Sequence, residues 1–224
     1  RIGSEDYAEH NESYGLATML KRHVSLRESV VVFDYPAKSG QRRVQAIVDP
    51  HVVEVVSALK RRHGGEELLA YRSGRRWLDV RSHDINAYLK RLTGGDFSAK
   101  DFRTWNATVL AAVTLAVSHA RAATHPATRG PATHPTTRGR ATHPATRGRV
   151  SKDRAIREAI KTVAAFLGNT PAVCRASYVD PRVIDRFRAG VTIADALPRG
   201  DAPDLAKPRT RHQIERAVLD LLAG

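Results

Sequence analysis

Acidic residues are in short supply in this chain. It carries 23 Asp and Glu against 37 Lys and Arg, which leaves a formal charge of +14 over 224 residues. Such an excess points to a polyanionic partner, nucleic acid ahead of an anionic membrane surface. Cysteine is almost absent. Cys174 stands alone, so an internal disulfide and a thiolate zinc cluster are both excluded, and a reducing cytosol is the natural compartment. No apolar run approaches the roughly 20 residues needed to span a bilayer, and the amphipathic helices lack the concentrated Lys/Arg face of a membrane-surface protein, so no membrane partner is expected. An initiating methionine is missing as well: the chain starts at Arg1, with no signal peptide, and reads as a fragment of something longer.

What is present is enough for a proper core, with 42% hydrophobic residues. After a polar start, VVVFDYP and RRVQAIVD are β-rich runs flanking AKSGQ. That pattern predicts a hairpin, with Ser39-Gly40 near the turn and Lys38 at its edge. Asp49-Pro50 opens a helix carrying Val52, Val53, Val55, Val56 and Leu59, stopped at Gly64-Gly65. Ser82 is expected to cap the next, with Ile85, Tyr88, Leu89 and Leu92 on one face. Ser98 and Asp101 predict a capping box for a long helix over about 99–119, with KDFRTW in its first turn and NATVLAAVTLAV as its body.

Residues 124–150 are three tandem nonapeptides, THPATRGPA, THPTTRGRA and THPATRGRV. Pro and Gly in every copy argue against a helix or a packed core, and the segment is expected to be a disordered basic insert. Its three histidines, one per nine residues without carboxylate or thiol partners, make a poor metal tract, and no metal site is expected anywhere in the chain. Ser151 restarts the fold with a helix to about Leu167, apolar at Ala155, Ile156, Ala159, Ile160, Val163 and Phe166. A Pro-rich linker over 197–208 leads to a terminal amphipathic helix, 209–224, with Ile214, Val218, Leu221 and Leu222. The fold class expected is mainly α with a small β-rich amino-terminal part (α+β), and residues 1–196 form the main domain.

The stretch LGNTPAVCRASYVDPR, residues 167–182, has the most local definition. Thr170-Pro171 and Asp180-Pro181 are two helix starts in succession, and Gly190 can close the second. Tyr178 falls at the junction, with Arg175 and Arg182 close by. A lone tyrosine there is most often an ordinary half-buried aromatic, so its meaning depends on the cations elsewhere.

Taken together, RIGSEDYA…NESYGLAT, AKSG, KDFRTW and LGNTPAVCRASYVDPRV resemble the poxvirus-like bacterial type IB DNA topoisomerases. The resemblance covers nearly the whole chain outside the nonapeptides. It implies a tyrosine recombinase/topoisomerase IB-like catalytic domain that acts on duplex DNA as a cytoplasmic, nucleoid-associated monomer without cofactor or ATP. It also implies an amino-terminal domain upstream, which this chain lacks. By resemblance the nucleophile falls on Tyr178, the two catalytic arginines on Arg1 and Arg103, and the catalytic lysine on Lys38. Asn169 stands where viral members carry histidine. Tyr7 and Lys100 match positions near the DNA, and Arg175 and Arg182 join them as candidate DNA contacts.

The chemistry asks for these residue types on its own terms. A phenol attacking a phosphodiester builds negative charge on the non-bridging oxygens, which planar guanidinium groups can clamp bidentately. The departing 5′-oxygen needs a proton, and an ammonium on a mobile stem can supply it. An asparagine can donate one hydrogen bond but cannot shuttle a proton. A tyrosine recombinase or integrase uses a similar set, and a DNA-binding remnant without activity is the alternative from another class.

Overall fold

The computed structural model describes residues 2–124, 144–198 and 203–224. The chain forms two compact units, Arg1–Phe102 and Arg103–Gly224. It is mainly helical with a small antiparallel sheet near its amino terminus, as the order of β-rich and helical patterns predicts.

In the first unit, strands β1 (Val24–Arg27), β2 (Val30–Ala37) and β3 (Gln41–Ile47) pair in the order β1-β2-β3. Alternation along β2 turns Val31, Phe33 and Tyr35 inward. There they meet Met19, Val24, Leu68 and Val56 of helix α2 (Pro50–Arg61). The β2–β3 connection is the expected one, a single 3-10 turn over Lys38–Gly40. The Asp49 carboxylate accepts the N–H groups of His51 and Val52 and so starts α2. Val55, another apolar position of this helix, is 56% exposed. At 100° per residue it lies off the stripe that Val52, Val56 and Leu59 present to the sheet.

One helix and three strands of this unit escape the sequence reading. A short helix α1 (Glu5–Asn11) forms inside the polar start, with Glu5 and Asp6 in its first turn where the helix dipole favours acids. Strand β1 lies in VSLR, too short to register as a periodic run. Strands β4 (Ala70–Ser73) and β5 (Arg76–Asp79) make a two-residue hairpin across Gly74-Arg75, concealed by its arginines.

Helix α3 (Ser82–Thr93) departs from expectation at its cap. Its N-cap is Arg81, not Ser82, and the Asp84 carboxylate accepts the Arg81 N–H. Ser82 is the first helical residue, and its N–H and hydroxyl both donate to the Glu5 carboxylate of α1. Its apolar face is only partly covered, with Ile85 and Leu89 half-buried and Tyr88 56% and Leu92 68% exposed. Apolar spacing identifies a stripe but not whether an element arrives to cover it.

The second unit is built on helix α4 (Ala99–Thr124), which begins in the last residues of the first unit. Its start is the expected box: the N–H and hydroxyl of Ser98 both donate to the Asp101 carboxylate. It runs five residues past the expected end at 119, since nothing in SHARAAT stops a helix. Ala107, Ala111, Leu115 and Ala116 are buried along it, and the small side chains let neighbours approach closely.

Helix α5 (Pro144–Leu167) starts seven residues before the expected Ser151, inside the third nonapeptide. Proline at a first helical position needs no hydrogen-bonded N–H, and turns added to an existing helix escape the nucleation cost. The boundary of the insert therefore moves to Pro144, and the disorder expected for 125–143 concerns residues outside those described. Ile156, Ala159, Ile160 and Val163 of α5 are buried as predicted, whereas Phe166 is 55% exposed. Leu167 is the buried residue at that end. Helices α6 (Pro171–Ser177), α7 (Pro181–Ala189) and α8 (Pro208–Ala223) complete the core with Cys174, Val183, Phe187, Ile214 and Val218.

Candidate active site

The residues singled out from sequence fall into two groups, one in each unit. In the first, Lys38 lies exposed on the β2–β3 turn, its ammonium 5.4 Å from the centroid of the Tyr7 ring on α1. A cation over a ring face is held loosely, by about 0.5–1 kcal/mol when exposed, so the lysine stem keeps its mobility. Lys100 is exposed on the first turn of α4. Arg1 lies outside the described residues, but the segment that follows it is firmly placed. The Ala17 N–H donates to the Ile2 carbonyl, and Gly3 passes so close to Gly15 that a Cβ on Gly15 would lie 2.3 Å from the Gly3 nitrogen. That crossing requires the glycine of NESYGLAT.

In the second unit, Arg103, Asn169 and Tyr178 are positioned by the start of α4 and the two junctions around α6. The α5–α6 junction turns on Gly168, at φ +62°, a left-handed conformation that suits glycine. The Gly168 N–H donates to the Ala165 carbonyl and the Asn169 N–H to that of Ala164, closing α5. Asn169, half-buried, is thereby fixed beside Thr170, whose hydroxyl caps α6 by accepting the Val173 N–H at 3.3 Å. Tyr178 is the C-cap of α6, half-buried, with its N–H donating to the Cys174 carbonyl at 3.0 Å. Asp180 then caps α7.

The Arg103 guanidinium joins these junctions. Its Nη2 donates to the Leu167 carbonyl, two residues before Asn169, and its Cζ stands 5.1 Å from the centroid of the Tyr178 ring. A single cation therefore touches both the end of α5 and the tyrosine. Its charge also opposes the burial that pushes the Cys174 thiol up, and burial dominates, so Cys174 is a neutral core residue one turn behind the tyrosine.

The two neighbouring arginines differ. Arg175 is exposed on α6. Arg182 is engaged: Nη2 and Nε donate to the Asp180 carboxylate at 2.7 and 3.1 Å, and Nη1 donates to the Leu222 carbonyl at 3.1 Å. Hydrogen bonding from Arg182 holds the Asp180 carboxyl below the usual carboxylate range.

Sequence reasoning does not single out Thr108. Only 2% exposed, its hydroxyl donates to the Tyr178 carbonyl at 3.4 Å and accepts the Asp180 N–H at 3.2 Å. The backbone on both sides of Val179 is thus pinned to α4. The available signal is a hydroxyl inside an otherwise apolar Ala-Thr-Val-Leu-Ala-Ala run, where a buried donor must find a partner.

The helix-borne Arg103 guanidinium thus packs against Tyr178 at the α6–α7 junction. The model of the family described as eukaryotic DNA topoisomerase I, catalytic core, matches residues 1–192, and the chain belongs to that family. It is 32% identical over 112 residues to the protein named DNA topoisomerase 1B from Acanthamoeba polyphaga mimivirus. The aligned stretch covers 48% of this chain and 33% of the viral protein, so the chain spans about a third of the curated relative it matches. Among the described residues no helix is long and apolar enough to cross a membrane.

Proposed function

We propose that this chain is a type IB DNA topoisomerase of the poxvirus-like bacterial kind, acting as a monomer on duplex DNA. The observation that carries the reading is the Arg103 guanidinium beside the Tyr178 ring. In the proposed reaction the Tyr178 phenol oxygen attacks a backbone phosphorus and loses its proton to solvent. The bond from phosphorus to the 5′-oxygen breaks, and Lys38 protonates that oxygen as it leaves. The products are a 3′-phosphotyrosyl bond and a free 5′-hydroxyl. The covalent link conserves the phosphodiester energy, so resealing needs no ATP.

Arg103 and Arg1 neutralise the non-bridging oxygens as charge develops there, and a guanidinium offers two parallel donors where an ammonium offers a point charge. Asn169 donates one amide hydrogen bond to the same oxygens. Tyr7, Lys100 and Arg175 contact the backbone of the duplex, a sequence-independent role suited to the +14 charge. Arg182, with its donors on Asp180 and Leu222, supports the fold around the tyrosine. Between cleavage and religation the free end rotates, relaxing supercoils.

Mixing the protein with negatively supercoiled plasmid and quenching with SDS tests the reading. A topoisomerase leaves a protein–DNA adduct in the quenched sample and relaxed circles in its absence. A DNA-binding remnant shifts the plasmid in native gels and leaves no adduct. Joining of strands from two different duplexes would mark a recombinase.

A further inference from the structure

Helix α8 lies beyond the family-matched residues 1–192, yet it contacts the surroundings of Arg103 through side chains and those of Tyr178 through a main-chain carbonyl. Arg211, Glu215, Val218 and Leu222 fall at i, i+4, i+7 and i+11, so they form one stripe along the helix. At the stripe's amino-terminal end, the Glu215 carboxylate accepts the Trp105 indole N–H at 3.3 Å and the Arg211 Nε at 2.9 Å. Arg211 Nη2 donates to the Asn106 side-chain oxygen at 2.7 Å. Trp105 and Asn106 sit two and three residues after Arg103 on α4. Val218, fully buried, seats the middle of the stripe in the core. At its far end, seven residues or about 10 Å along the axis, the Leu222 carbonyl accepts Nη1 of Arg182, whose fork grips Asp180. Asp180 is two residues after Tyr178.

We propose that α8 is a strut that sets the register between Arg103 and Tyr178, with Glu215 and Arg211 as its positioning residues; the proposal rests on the topoisomerase reading. Neither residue touches the reacting groups. Glu215 acts through Trp105, which fixes how the first turns of α4 are rotated and therefore where the Arg103 guanidinium points. Small displacements matter here, since misplacing a reacting group by about 1 Å can cost on the order of 100-fold in rate. The stripe is well suited to holding rather than folding the unit: Arg211 is half-exposed and Glu215 a quarter exposed. The apolar seat belongs to Ile214 and Val218, which truncation of Glu215 leaves in place.

The test is a double-mutant cycle in single-turnover cleavage at saturating protein, with DNA affinity and thermal melting measured alongside. Glu215→Ala should slow cleavage by about 10- to 100-fold, with affinity and melting midpoint close to the parent. Glu215→Gln keeps an acceptor for the indole and should recover most of the rate. In an Arg103→Ala background, Glu215→Ala should add little, because the group it positions is gone. Parent-like cleavage by Glu215→Ala, or losses that multiply in the double variant, would overturn the strut while leaving the topoisomerase reading intact. A parent chain that forms no adduct would overturn both.

Discussion

The Arg103 guanidinium donates to the Leu167 carbonyl while its carbon stands 5.1 Å from the centre of the Tyr178 ring. A planar, delocalised cation can do both at once, because one nitrogen of the fork reaches the carbonyl while the shared charge stays near the ring. An ammonium cannot copy that geometry. Arg103→Lys is therefore expected to keep the charge and lose the clamp. Cleavage of bound DNA should slow by about 2.7–4 kcal/mol, the range for a lost oxyanion donor, in rapid-quench assays at saturating protein. A rate within threefold of the parent would show that charge alone suffices.

Lys38 calls for a different kind of measurement. If it protonates the departing 5′-oxygen, Lys38→Ala should be slow on ordinary DNA and restored on a substrate with sulfur at that bridging position, since a thiolate leaves without a proton. Equal defects on the two substrates would remove Lys38 from the general-acid role.

Thr108 has a structural burden that can be separated from catalysis. Thr108→Val preserves shape but leaves the Asp180 N–H and the Tyr178 carbonyl without the hydroxyl that bridges them. Leaving a buried polar group unsatisfied costs about 1–3 kcal/mol. Denaturant unfolding should register a loss of that size, and an unchanged midpoint would show that water substitutes for the hydroxyl.

These three residues also show how far the sequence could be read. Helix starts at Asp49, Ser98, Thr170 and Asp180 were legible because a cap is a contact between residues two or three apart, written entirely in local sequence. The tyrosine's place between α6 and α7 followed from two such caps. Ser82 carried the same local signal and misled: Glu5, 77 positions away in sequence, takes its donors, and Asp84 serves Arg81 instead. The exposed Tyr88 and Leu92 and the anchoring of Trp105 by Glu215 are decided by which elements meet, which spacing within one helix does not encode. The catalytic candidates come from residue types and family resemblance; of the contacts around them, the caps Thr170 and Asp180 are written locally, whereas Thr108 and Glu215 act across long sequence separations.

His23 makes stability in the first unit depend on pH. It is buried against Tyr14, ring centroids 4.5 Å apart, and its Nδ1 accepts the Leu20 N–H. Burial, helped by the neighbouring Arg22 charge, lowers its pKa from the ordinary 6.5. The unfolded chain thus binds a proton more readily than the folded one. The contribution of neutral His23 is complete above about pH 6.5 and is lost progressively as pH falls below it. Unfolding midpoints measured from pH 8 to pH 5 should decline, and His23→Gln should flatten that decline. A variant as pH-sensitive as the parent would place the effect elsewhere.

In the proposed reaction Tyr178 becomes covalently bonded to DNA. The most direct measurement is to digest SDS-trapped adduct with protease and nuclease and locate the nucleotide-bearing peptide by mass spectrometry, with Tyr178→Phe run in parallel. A nucleotide 3′-phosphate is expected on Tyr178 in the parent, and a Phe variant that binds duplex DNA normally yet yields no adduct. A nucleotide on any other residue, or adduct formation by Tyr178→Phe, would contradict it.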